Sequence, residues 1–421
     1  MNGNLQVDEV LRDPPFARVG KQVAVGFIMI FFIANQFPHT TTIKEIAFYG
    51  SLILFASLLL SRKIVIHFDS PITIPAAIFI VIVLIGSVFA INKNNTIDDL
   101  YSHLIRYILI WIIIISFIES NYDFEVLITV VVLSTTFFCI YNIVDLYIIK
   151  NMPFSTRLLT GSQEITTNLV GINIILSVNL AYYKLKSSTN RRAKGGYSLA
   201  IIVLLFSLFA AQARSGFLAL VLSALIVFLS NRNVIKLCVV LTLLAVAACY
   251  SPVGTRLTTQ LSTDIRIQHM LLCLEVVKDH PLTGIGFGMQ TFARDLDLVA
   301  YNKRVEEKYR LPVYADSILT DPHNLYTDIA VRSGIVGFSA FIHFIYTVYR
   351  TLLRMILANE KEGRDLSLAL LASLSSFMFI GLFEPVFSHP FEAIFCFIFA
   401  LTHILWKQTM AIHPKVLPNQ R

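Results

Sequence analysis

Arginine side chains beside apolar runs are the first residues of this sequence that could do chemistry. Arg214 lies within residues 212–216, a short polar break between two apolar runs, and Arg157 lies in a second polar stretch at residues 155–161. Arginine is the side chain best suited to bidentate recognition of a phosphate group. The alternative interpretation is an anchor whose charged end reaches toward lipid headgroups. Arg214 therefore indicates phosphate recognition or lipid anchoring, and Arg157 is the weaker case.

A histidine follows an aspartate and a proline at residues 321–323. Aspartate is a good helix cap and proline suits the first helical position, so the pattern predicts His323 in the first turn of a helix. The positive end of the helix dipole disfavours an imidazolium at that position. A neutral imidazole can accept a proton, as a general base must. The alternative is an interfacial histidine with a backbone hydrogen-bond partner.

A third candidate, Arg266, lies in the stretch 251–322, which is too long to be a simple connection. Residues 262–264 offer helix caps, Pro281 ends the helix, and Arg266 lies in its first turn on the same face as an apolar stripe. The pattern predicts an amphipathic helix at the membrane interface. The stripe consists of Met270, Cys273, Leu274 and Val277.

Three glycines, Gly284, Gly286 and Gly288, follow this helix. No lysine followed by serine or threonine comes after them and no strand precedes them, so neither common nucleotide-binding pattern is present. The plain interpretation is a flexible turn over the amphipathic helix. The alternative is that Gly286 lets the backbone approach a ligand closely.

Composition indicates which elements hold these residues. Hydrophobic residues make up 56% of the chain and charged residues only 14%, and the mean hydropathy is +0.69. A soluble domain usually carries about a quarter charged residues. A chain this apolar needs lipid as the solvent for many of its side chains. We therefore expect an all-α integral membrane protein.

Transmembrane helices need about 20 apolar residues, and some twelve runs qualify. The break at 212–216 separates two of them because an arginine in mid-bilayer would be costly. With the N-terminus in the cytoplasm, this split places the basic connections inside, as the positive-inside rule requires. A merged span would place the later basic connections outside. The predicted spans are residues 22–36, 43–60, 71–92, 104–119, 124–149, 166–183, 198–212, 216–230, 234–250, 334–355, 365–383 and 390–406.

The chain then divides into five segments with both termini in the cytoplasm. The first 21 residues form a tail rather than a signal peptide, because they lack a basic start and a cleavage site. Residues 22–250 hold nine transmembrane helices, and residues 251–322 form one large external loop with an amphipathic helix. Residues 323–406 hold three more helices, and residues 407–421 form a second tail. Arg157, Arg214 and the large loop share the external side.

Several site classes are not expected. The net charge of +7 reflects basic residues between spans, so we expect no nucleic-acid partner. The five cysteines are odd in number and four lie inside apolar runs, which indicates neither a disulfide framework nor a metal cluster. Acidic residues are scarce on the external side, and the adjacent Asp98 and Asp99 are predicted to form a solvated loop. We therefore expect no metal and no cofactor, with arginines neutralising a leaving diphosphate.

The order and spacing of these motifs resemble the O-antigen ligase and O-antigen polymerase superfamily. The resemblance covers about residues 155–340, and the number of predicted spans extends it to the whole chain. The matching segments are Arg157–Gly161, Ala213–Gly216, Arg266, Pro281–Gly288, Pro322–Tyr326 and Ser333–Gly337.

The resemblance implies a GT-C-like helical fold in a bacterial inner membrane, with the large loop and the active site in the periplasm. Members transfer a glycan from undecaprenyl diphosphate to a hydroxyl, which in the ligases belongs to lipid A-core, and they use neither metal nor ATP. It further implies that Arg214 and Arg266 bind the diphosphate and that His323 activates the acceptor hydroxyl. The remaining substrate-binding candidates are Arg157, Asn324, Tyr326 and Gly286.

Two alternatives to an O-antigen ligase stay open at this level. A glycan polymerase of the same superfamily would use the growing chain as its acceptor. A lipid or glycan transporter would do no chemistry, but transporters often show paired repeats and interrupted helices at mid-membrane. The sequence shows neither of these features. We therefore expect a ligase, with membrane lipids, the lipid-linked donor and lipid A-core as its partners.

Overall fold

The computed structural model describes residues 15–37, 39–158, 167–230, 233–249, 263–310, 321–358, 361–385 and 391–412, and every regular element in these ranges is helical. A π-helical turn at Leu100–Ile105 joins the helices Lys93–Asp99 and Arg106–Phe117, and another at Val144–Ile149 extends the helix Asn121–Ile143. The α-helices of the first half are α1 Pro15–Ala34, α2 Thr41–Leu60, α3 Thr73–Val88, α4 Lys93–Asp99, α5 Arg106–Phe117, α6 Asn121–Ile143, α7 Thr167–Ser187 and α8 Arg191–Ala210. Those of the second half are α9 Arg214–Ser230, α10 Val234–Cys249, α11 Thr263–Asp279, α12 Thr291–Arg294, α13 Leu298–Tyr309, α14 Leu325–Ala358, α15 Lys361–Ile380 and α16 Phe391–Ile412.

The helical membrane architecture expected from the sequence is confirmed. Each of the twelve predicted spans overlaps one of these helices. Within the described residues, eight helices are long and apolar enough to cross a membrane, and three shorter apolar helices lie at Thr73–Val88, Arg214–Ser230 and Ile235–Leu244. The total of twelve crossings stays a prediction.

Helix α7 is the centre of the bundle. Its residues 170–181 are buried on every side, which is typical of a helix enclosed by other helices. Asn179 donates to the Ser373 hydroxyl on α15 at 3.1 Å and accepts from the Ser223 hydroxyl on α9 at 2.7 Å. Buried amides of this kind must be hydrogen-bonded, so they fix the mutual positions of the three helices. The bundle centre is therefore α7, α9 and α15.

Residues 263–310, called the loop domain here, form a second hydrophobic core outside the helical bundle. Cys273 and Val276 of α11, Phe292 and Val305 are buried together with Val331 of α14. Polar contacts support this packing, because the buried Glu275 of α11 accepts hydrogen bonds from Lys308 and Tyr309 of α13. The loop domain is thus a packed unit attached to the first turns of α14.

The predicted amphipathic helix exists, but its buried face is only partly the predicted one. Helix α11 runs from Thr263 to Asp279 and ends before Pro281, as expected. Cys273 and Val277 are buried, whereas Met270 is 47% exposed and Leu274 is 44% exposed. The stripe was wrong at these two residues because α11 packs against α13 and α14 with a face that the local apolar pattern does not define.

Candidate active site

Arg157 and Arg214 lie at one turn, where the segment after α6 packs against the α8–α9 connection. The Arg157 Nε donates to the Ala211 carbonyl at 2.8 Å, and the Leu158 N–H donates to the Ala210 carbonyl at 2.9 Å. The Gln212 amide donates to the Ser155 carbonyl at 2.9 Å. Helix α8 ends at Ala210 and helix α9 begins at Arg214 itself, so the predicted break between two apolar helices is confirmed. The structure therefore brings the two arginine-bearing segments together.

This arginine turn and the His323 segment are held at the same end of α15. Helices α9 and α15 are antiparallel, because Ser376 bonds to the Ala219 carbonyl at 3.0 Å while Arg364 bonds to the Ser230 carbonyl at 2.8 Å. Arg214 therefore lies five residues, or about 7.5 Å along the axis, from the Ser376 contact. The last residues of α15, from Ser376 to Ile380, run about 6 Å in the same direction.

The beginning of α14 attaches to that end of α15. The Leu325 N–H donates to the Gly381 carbonyl at 2.7 Å, and the Asn324 amide donates to the Leu382 carbonyl at 2.9 Å. The Tyr326 hydroxyl donates to the Met378 carbonyl at 3.0 Å. Asn324 and Tyr326, which were predicted to bind substrate, thus dock α14 onto α15 and hold the neighbouring His323 in place.

The predicted position of His323 within the helix was wrong. The capping residue is Asn324, whose side-chain oxygen accepts from the Tyr326 N–H at 2.8 Å and from the Thr327 N–H at 3.2 Å. Helix α14 begins at Leu325, so His323 precedes it. Its φ of 44° is in the left-handed region, which costs on the order of 1–3 kcal/mol for a residue other than glycine. The docking contacts on α15 outweigh this strain.

The His323 ring has two described neighbours that the sequence analysis did not find. Its Nδ1 contacts the Asp321 carboxylate, and the His269 ring of α11 lies 6.3 Å away between centroids. Burial alone would raise the pKa of Asp321, but the adjacent His323 outweighs burial and lowers that pKa below its ordinary value. Asp321 is therefore a carboxylate at neutral pH. Through His269, helix α11 also borders the His323 segment.

Arg266 lies in the first turn of α11, as predicted, and its side chain lies outside the described residues. It precedes His269 by three residues, which is about one helical turn. Because His269 contacts the Asp321 backbone at 2.6 Å, the first turns of α11 lie beside the His323 segment. The backbone position is consistent with a role for Arg266 at the same site.

The glycine-rich segment packs against protein rather than forming a flexible turn. The Ile285 N–H donates to the Val331 carbonyl at 2.9 Å, and the Ile91 N–H donates to the Ile285 carbonyl at 3.0 Å. Gly286 has a φ of 101°, and a Cβ there would lie 2.7 Å from the Thr96 hydroxyl. The space beside Gly286 is thus filled by residues of the α3–α4 region. Its predicted contact with a ligand stays a prediction.

Asp99 is not the solvated residue that was predicted. Its Oδ2 accepts from the Met289 N–H at 2.6 Å and from the Asn95 amide at 2.8 Å, and its other oxygen lies 3.8 Å from the His103 ring. The His103 Nδ1 is in turn 2.7 Å from the buried Glu392. Asp99 therefore fixes the glycine-rich segment to α4. The pairing joins residues 190 apart in sequence, and no local pattern signals it.

Arg332 makes a second long-range contact that the sequence did not indicate. Its Nε donates to Asp328 at 2.6 Å, and one terminal nitrogen donates to the Phe287 carbonyl at 3.2 Å. Both charged side chains are buried. Helix α14 is kinked directly after them, at Gly334, where φ is 67°. Arg332 thus joins the glycine-rich segment to the helix that begins beside His323.

Comparison with known proteins identifies one family. Residues 199–342 match the family model described as O-antigen ligase, Wzy_C. This range covers α9, Arg266, the loop domain and His323, which are the parts assembled above. No curated protein sequence matches the chain. The match supports the O-antigen ligase superfamily, and with it a glycosyltransferase-like enzyme in a membrane.

Proposed function

We propose that this member of the O-antigen ligase superfamily transfers a glycan from undecaprenyl diphosphate to a sugar hydroxyl of lipid A-core. The observation that carries the proposal is the shared position of the Arg157–Arg214 turn and the His323 segment at one end of α15. Guanidinium groups recognise phosphate, and a neutral imidazole accepts a proton. These are the two activities that displacement of a diphosphate by a hydroxyl requires.

In this mechanism the imidazole of His323 takes the proton of the acceptor hydroxyl. The hydroxyl oxygen attacks the anomeric carbon while the bond from that carbon to the diphosphate oxygen breaks, so the configuration inverts. Arg214 and Arg266 stabilise the negative charge that develops on the diphosphate, and Arg157 helps to hold the donor. Removing one such charge-stabilising donor lowers the rate by about 10²–10³-fold in well-studied enzymes.

The proposed orientation places this site on the periplasmic face of the bacterial inner membrane, with both termini in the cytoplasm. It agrees with the basic connections that the sequence puts on the opposite side. The donor diphosphate lies at that surface, while its polyprenyl chain stays in the bilayer. The arginine turn at the start of α9 is then at the depth of the lipid headgroups.

The test is glycan transfer by the purified protein, using a defined polyprenyl-diphosphate-linked glycan and lipid A-core. We expect core-linked glycan from the native protein and none from His323→Ala. His343→Ala is the matched control, because this exposed histidine lies on α14 about 27 Å along the helix from Leu325. Near-normal transfer by His323→Ala would end the base assignment, and loss of all activity in EDTA would contradict the metal-free mechanism.

The products also separate the ligase from a polymerase of the same superfamily. A strain lacking the ligase keeps full-length glycan on its lipid carrier. A strain lacking the polymerase instead carries single repeat units on its core. Elongation of the lipid-linked glycan in the purified reaction, without any transfer to core, would favour the polymerase.

A further inference from the structure

The Asp321 carboxylate contacts His323 twice. Its Oδ1 accepts a hydrogen bond from the His323 backbone N–H at 2.9 Å, and the same oxygen contacts the ring Nδ1. A carboxylate can only accept hydrogen bonds, so its contact with Nδ1 favours the ring form that carries a proton on that nitrogen. In the neutral ring the lone pair is then on Nε2.

His269 supports the Asp321 residue from α11. Its Nε2 lies 2.6 Å from the Asp321 carbonyl oxygen, and its ring packs against Phe292 at 5.9 Å between centroids. A carbonyl also only accepts, so Nε2 of His269 must donate. Burial lowers the pKa of His269, so the ring is neutral at physiological pH. His269 therefore supports Asp321 without adding a positive charge beside His323.

We propose that Asp321 and His269 are positioning residues for His323, with Asp321 orienting the imidazole and His269 holding the Asp321 peptide in place. This inference rests on the proposed function, because it assumes that His323 is the base. Neither residue touches the substrate in this arrangement. Their contribution is to present the Nε2 lone pair of His323 to the acceptor hydroxyl.

The proton balance of the step follows from this arrangement. The acceptor hydroxyl gives its proton to Nε2 of His323 as its oxygen bonds to the anomeric carbon, and the diphosphate leaves with the bonding electron pair. His323 becomes an imidazolium, and the adjacent Asp321 carboxylate stabilises that positive charge. Oriented carboxylate–imidazole pairs have this role in other enzymes that use a histidine base.

Asp321→Asn is the main test, because asparagine keeps the shape and can still accept from the His323 N–H. It removes the negative charge beside the imidazole, while the amide oxygen that replaces Oδ1 can still face the ring Nδ1. We expect kcat to fall on the order of 10²-fold with little change in KM. Among the described residues, the titratable groups near the ring are Asp321 and His269, and the Asp328 carboxylate lies near Asp321. Without the Asp321 charge the imidazolium is less stable, so the acidic limb of the rate profile should move to lower pH.

Two further variants separate positioning from general damage to the loop. Asp321→Glu keeps a carboxylate and should recover part of the lost kcat. Asp297→Asn is the matched control, since Asp297 caps α13 by accepting from the Ala300 N–H at 3.0 Å. We expect this control to keep native kcat and an unmoved pH profile. An Asp321→Asn enzyme within threefold of native, with its acidic limb unmoved, would overturn the role of Asp321.

His269 is tested by a pair of substitutions at the same position. His269→Gln keeps an N–H donor and should stay within about twofold of native kcat. His269→Phe keeps a ring but loses the donor, and a lost hydrogen bond corresponds to about a five- to tenfold fall. Equal activity of the two variants would remove His269 from the proposal. If His323→Ala itself transfers glycan normally, the proposed function fails; if only the Asp321 variants are native-like, this inference alone fails.

Discussion

Replacing Arg332 by methionine should destabilise the protein strongly, because it leaves the Asp328 carboxylate buried without its partner. The two side chains are 2.6 Å apart, and their exposed fractions are 5% and 0%. Breaking a buried ion pair by removing one member costs about 3–5 kcal/mol. The lost hydrogen bond to the Phe287 carbonyl lies in the same network, so it adds little beyond this figure. We expect a loss of about 3–5 kcal/mol in the free energy of unfolding.

The measurement is a double-mutant cycle on the purified protein, with unfolding followed in mixed micelles by SDS titration. Arg332→Met combined with Asp328→Leu removes both charges, and replacing a buried pair by apolar residues is often neutral. The double variant should therefore be more stable than Arg332→Met alone. Lys150→Met is the control, since the Lys150–Asp145 pair is largely exposed and its loss should leave the free energy of unfolding nearly unchanged. A loss under 1 kcal/mol for Arg332→Met, or no recovery in the double variant, would refute the reasoning.

Three further outcomes are expected. Arg214→Ala should lower glycan transfer by about 10²–10³-fold while the protein stays folded. Arg364→Ala, which removes the α15 side chain that bonds to the other end of α9, should leave transfer unchanged, and equal losses in the two variants would contradict the role of Arg214. Gly286→Ala should cost about 1–3 kcal/mol of stability because of its φ of 101° and the nearby Thr96. Gly26→Ala, with open space around it, should leave the stability unchanged, and thermal denaturation of both variants measures the difference. Hydrogen bonds led by that from Lys278 lower the pKa of Glu275 from 4.5 to about 2, so the stability that this residue contributes is complete above pH 4.5 and is lost as the pH falls toward 2. Glu275→Gln should remove this loss of stability between pH 4.5 and about 2, and an unchanged acid profile in the variant would contradict the role of Glu275.

The sequence by itself determined the membrane class and the approximate positions of its apolar helices. Apolar runs long enough to cross lipid can hardly form anything but helices, because every backbone hydrogen bond must be made within the segment. The break before α9 followed from the cost of a mid-bilayer arginine, and the end of α11 before Pro281 followed from local helix geometry. The candidates Arg157, Arg214 and His323 also came from residue type and local context.

Only the tertiary structure decided how these residues are held. The contacts of Asp99 with Met289 and of His269 with Asp321 join segments far apart in the chain, and no local periodicity encodes such pairs. The same holds for Gly286, whose neighbour Thr96 is on α4, and for Met270, whose exposure depends on how α11 packs. Local preferences act over a few residues, whereas the choice of Asn324 as the cap and the position of His323 required the end of α15 to be in place.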